Sequence, residues 1–93
     1  MSYNYDEEKG QLFTDRGQIR FLKVRDHVAR IVKTSGVITM DKAMSVLTGD
    51  TWEMMACVDR LVELGELEEV EQLPLGYRAQ DRIFRPTQQG RES

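Results

Sequence analysis

The apolar residues change their period once along this chain, at Gly65. Before it they recur every three or four positions, as on one face of a helix; after it they alternate with glutamates, as on a half-exposed strand. Any fold must therefore place helices first and a hairpin last. Phe21, Val24, Val28, Ile31 and Val32 form one stripe and predict a helix from Asp15 to about Thr34, roughly 30 Å long at 1.5 Å per residue. Thr14 or Asp15 can cap its start, and Gly36 stops it. The short run Gly36-Val37-Ile38-Thr39 suffices for one edge pairing. A second helix is expected after a cap at Thr39 or Asp41, with Ala43, Met44, Val46 and Leu47 on its apolar side until Thr48-Gly49. A third opens at Asp50 or Thr51 and runs to Leu64, burying Met54, Val58, Leu61 and Val62. Beyond Gly65, the run from Leu67 to Leu73 and the run Asp81–Thr87, with Ile83 and Phe84, predict two strands. The Pro and Gly of LPLGYRAQ turn the chain between them.

The expected class is α+β, with one domain over residues 14–90. Residues 1–13 lack a sustained period and carry the acidic cluster Asp6-Glu7-Glu8, so they are expected to be flexible and outside the core. Residues 91–93 form a tail. At 93 residues and 40% hydrophobic the chain has the material for one core. Its single cysteine, Cys57, excludes an internal disulfide and points to a reducing compartment. With neither a secretory leader nor a membrane-length apolar run, the expected location is the cytoplasm, without a membrane partner.

Charge is segregated. Residues 10–36 carry six Lys/Arg against two Asp/Glu, and residues 37–70 two against eight, on a chain of net charge −3. Local potential rather than net charge decides what docks, so one basic surface is expected on an acidic protein.

Two local motifs carry a resemblance. VDRLVELGELEEV, with Leu61 four residues before Gly65, is similar to the end of the third helix and first wing strand of MarR-like and PadR-like regulators. DRIFRPTQQGRE, with Phe84, Thr87 and Gly90, resembles their second wing strand and the turn after it, although Pro86 stands where leucine is more usual. The resemblance covers Thr14 to Gly90. It implies a winged helix-turn-helix: three helices, a short extra strand between the first two, and a two-stranded wing. Such regulators usually dimerise through flanking helices, for which these 93 residues leave no room.

The implied function is binding of double-stranded DNA, in transcriptional or replicative regulation. On the first helix Arg16, Arg20, Lys23, His27 and Arg30 recur at four, three, four and three and form a ridge suited to phosphates. The resemblance makes the third helix the reading head, with Trp52, Glu53, Met55, Ala56, Asp59, Arg60 and Glu63 outward. Only Arg60 among them is basic. The wing offers Tyr77, Arg78, Arg82 and Arg85 for minor-groove or phosphate contact; Arg82 and Arg85 also suit a purely structural role against the glutamates across the hairpin. The alternative is a protein-interaction module that grips a basic or apolar partner with Trp52, Met55, Asp59 and Glu63. No cofactor, metal-ligand spacing, phosphate-cradling glycine loop or nucleophile–base pair is evident, so no enzyme is expected. Cys57, Met40 and Met44 read as core filler, and His27 as a surface member of the basic ridge.

Overall fold

A computed structural model describes residues 3–45, 51–70 and 82–87. Four α-helices lie in it: α1 (Tyr5–Glu8), α2 (Asp15–Ser35), α3 (Met40–Met44) and α4 (Thr51–Glu63). A 3₁₀ turn, Lys9–Phe13, joins α1 to α2. The strands are β1 (Ile38–Thr39), β2 (Leu67–Glu69) and β3 (Ile83–Pro86), in one antiparallel sheet of order β1-β3-β2. Its small size makes the protein α+β and mostly helical.

Local chemistry sets the element ends. The Thr14 hydroxyl accepts the Gly17 amide at 3.0 Å and caps α2. Gly36, at φ 79°, sends its amide back to the Val32 carbonyl and ends that helix. Gly65 takes φ 80°, its amide reaches Val62, and the Glu66 amide reaches Leu61 at 2.9 Å. These two returning bonds form the glycine-terminated helix end in which a left-handed residue satisfies the last carbonyls. The chain leaves α4 there and re-enters the core at Leu67.

Central β3 places Phe84 opposite Ile38 on one side and Glu69 on the other. Phe84 and Ile38 are buried, together with Phe21, Val24 and Val28 of α2, Met40 and Met44 of α3, and Val58 and Leu61 of α4. Cys57 packs among them, as a core filler should.

The N-terminal segment departs from expectation. Residues 3–13 hold α1 and the 3₁₀ turn, and Leu12 among them belongs to the core. Leu12 is 1% exposed, and the Gln18 side chain donates to its carbonyl at 2.7 Å. Gly17 allows the Gln11–Leu12 backbone to lie directly on α2. Tyr3 and Tyr5 pack against the core from outside. The order of this segment comes from α2 and α4, not from a period of its own, which is why its sequence looks structureless. The expected three helices thus gain α1 and a 3₁₀ turn ahead of them. The second expected helix is described only as Met40–Met44; Val46 and Leu47 lie outside the described residues, as does the hairpin tip.

Burial first, and the nearby Glu53 carboxylate second, push the Cys57 thiol up to about 12 from an ordinary value of 9.0. Between those values the unfolded chain releases a proton that the folded chain keeps, so stability falls as pH rises across that window. Urea titrations from pH 8 upward are expected to show this loss, and Cys57→Ala to reduce its slope. At neutral pH the thiol should react with alkylating reagents only as fast as the protein unfolds.

Candidate nucleic-acid interface

The nine residues expected to contact DNA fall into three groups. Tyr77 and Arg78 lie outside the described residues. Arg20, Arg60, Arg82 and Arg85 are each joined to a carboxylate: Arg20 Nε to Glu53 at 3.3 Å, Arg60 to Glu63 at 2.7 Å, Arg82 to both Asp59 and Glu69 at 2.8 Å, and Arg85 to Glu68 at 3.4 Å. Arg16, Lys23 and Arg30 are exposed and form no ion pair among the described residues.

Arg82 serves the fold. It lies just before β3, over the Phe84 ring at 5.1 Å, and ties the sheet to α4 through Asp59. Burial works against its charge, but hydrogen bonds to Glu69 and Asp59 outweigh that penalty and hold its pKa above the ordinary value. Arg85 and Glu68 face each other directly across β2 and β3. Arg82 and Arg85 therefore balance the glutamates of β2.

Much of the face of α4 expected to point outward is covered, while Glu63 at its end stays exposed. Met55 is 2% exposed, and Glu53 and Ala56 are buried as well. The Tyr3 hydroxyl donates to Asp59 and the Tyr5 hydroxyl to Glu63, both at 2.6 Å. Lys9 adds a 4.0 Å pairing with Glu63, the Arg60 guanidinium stacks on Phe13 at 5.2 Å, and Tyr3 meets Trp52 edge to face. Burial, then the bond to its carboxylate, raises the pKa of each tyrosine, while the Tyr5 and Arg60 hydrogen bonds hold Glu63 below the usual range. A helix wheel gives faces but not what covers them. Of the expected surface set Trp52, Met55, Asp59 and Glu63, Met55 belongs instead to the core and Trp52 and Asp59 are partly buried, whereas Glu63 is exposed; both acids already hold tyrosines.

No family model, curated protein or solved structure matches the chain.

Among the described residues, one flank of α2 stands open to a polyanion. Arg16, Lys23 and Arg30 stand seven residues apart, so they rise about 10.5 Å per step and drift only about 20° around the axis. The row spans about 21 Å. Arg20 and His27, on the same flank but turned toward the body, are held: Arg20 by Glu53, and His27 Nε2 at 3.0 Å from the Lys42 carbonyl and 3.2 Å from the Ser45 hydroxyl. His27 thus packs α2 onto α3. At this junction the Lys42 carbonyl meets His27, and the Lys42 side chain is exposed, also without an ion pair among the described residues. Lys42 escaped the sequence reading because its neighbourhood depends on the α2–α3 packing. The described residues contain no group of three or more His, Cys, Asp or Glu able to hold a metal ion, and no helix among them is long and apolar enough to cross a membrane.

Proposed function

We propose that the chain is a winged-helix DNA-binding protein that holds duplex DNA by its phosphates, with α2 as the docking element, and acts in transcriptional or replicative regulation. The order α2, β1, α3, α4, β2, β3 and the sheet order β1-β3-β2 support the winged-helix reading. The observation that carries the DNA reading is the row Arg16, Lys23 and Arg30, left without carboxylate partners on an acidic chain whose α4 and sheet arginines, among the described residues, are all paired. With much of the outer face of α4 covered, binding is backbone-directed and tolerant of sequence.

Three neutralised phosphates give a salt slope of about −2.7, and Lys42 as a fourth about −3.6. Affinity for a 20-base-pair duplex, read by fluorescence anisotropy, should therefore fall roughly 40- to 150-fold between 50 and 200 mM salt. The triple variant Arg16→Glu, Lys23→Glu, Arg30→Glu should weaken binding at least about tenfold on every sequence tried. Duplex affinity that ignores these reversals, or no binding even at 20 mM salt, defeats the reading.

A further inference from the structure

The solvent side of α2 carries more than charge. Ile19 is 60% and Leu22 43% exposed, one helical turn apart, and neither has a reason to face water. Ile19 lies between Arg16 and Lys23, and with Arg20 these residues line a shallow cavity of about 350 Å³ whose walls are mostly apolar. A phosphate backbone satisfies the cations but offers nothing to the two aliphatic side chains. The combination calls for an occupant that is both apolar and anionic.

We propose that this face of α2 docks an acidic amphipathic helix of another protein. Its apolar residues would cover Ile19 and Leu22 while its carboxylates pair with Arg16 and Lys23, the helix-in-groove mode of recognition. A second copy of this chain fits worse. The outer stripe of α2 reads Asp15, Ile19, Leu22, Asp26, Ala29, Lys33, spaced four, three, four, three and four. Paired parallel, it sets Asp26 against Asp26. Paired antiparallel about residue 24, it buries Asp26 against Leu22 and brings the row Arg16, Lys23, Arg30 against its own copy. A partner with its carboxylates on the Arg16 and Lys23 side and a neutral residue opposite Asp26 meets neither conflict, and its docking does not depend on duplex binding, although the two compete for Arg16 and Lys23.

The test uses the full chain and two labelled 20-residue peptides of identical composition, Glu, Ala and Leu. In one the leucines fall at i, i+3, i+4 and i+7; in the other they are scattered around the helix. The striped peptide should bind at least about tenfold more tightly than the scattered one. The double variant Ile19→Gln, Leu22→Gln should lose at least about tenfold in striped-peptide affinity while keeping duplex affinity within about twofold, because both side chains are exposed and touch no phosphate. Equal binding of the two peptides, unchanged peptide affinity in the double variant, or no peptide binding at 20 mM salt overturns the proposal. So does a loss of duplex binding that parallels the loss of peptide, which would make the face a phosphate surface alone. Preferential capture by anionic vesicles, lost in the double variant, would assign it to a membrane instead.

Discussion

Gly17→Ala should unfold about 15 °C below the parent, a loss of about 3 kcal/mol. At an exposed helical position the same substitution gains up to about 1 kcal/mol, because alanine is the better helix former. Here a Cβ would intrude on the Gln11 carbonyl and lie 2.8 Å from the Leu12 Cα. Both obstacles are backbone, so no side-chain rotation relieves them. Either α2 bends or the 3₁₀ turn lifts, and lifting it withdraws Leu12 from the core. Thermal melts give the size of the effect, and the fluorescence of Trp52, the sole tryptophan, gives its location. Since Tyr3 lies edge-on to Trp52, a lifted segment should leave the indole more open to quenchers in the native state. A stabilised Gly17→Ala protein would mean that residues 3–13 do not seat on α2.

Asp59→Ala should be nearly as damaging, at about 2–3 kcal/mol. It leaves the Arg82 guanidinium, 17% exposed, with Glu69 as its remaining acid among the described residues, and deprives the Tyr3 hydroxyl of its acceptor. Removing one partner of a buried pair strands the other, an effect of about 3–5 kcal/mol when no second acid remains; Glu69 moderates it here. Asp59→Asn, which keeps one acceptor oxygen, should fall between. Glu63→Ala is the control, because its ties to Tyr5 and Arg60 are exposed and should change stability far less. Urea denaturation of the set would rank them. Equal losses at Asp59 and Glu63 would show that Arg82 is not a structural link.

These two variants mark the border of what sequence reasoning reached. The ends of α2 and the change of element at Gly65 depend on neighbours a few residues away, and the amino-acid pattern displays them. Leu12, Tyr3 and Tyr5 depend on α4, some fifty positions later, and no local period announces such a contact. Met55 was misplaced as well: a position counted as outward from Leu61 and Gly65 lies in the core. Arg82 shows the same limit from the charge side: its spacing along β3 suits a nucleic-acid groove, whereas its environment comes from Asp59 in another element. The row Arg16, Lys23 and Arg30 was legible from spacing alone. Its freedom from carboxylates was not, because pairing is a property of the assembled molecule.

The Tyr3–Asp59 bond joins residues 56 positions apart, and the Tyr5–Glu63 bond 58. Contacts of such separation demand closure of a long loop before they return any free energy, so they belong late on the folding route. A chain assembling its helices therefore passes through a stage in which Asp59 has yet to receive the Tyr3 hydroxyl and Glu63 that of Tyr5. Asp59, part-buried in the finished fold, is open to water in that stage, whereas Glu63 stays exposed throughout.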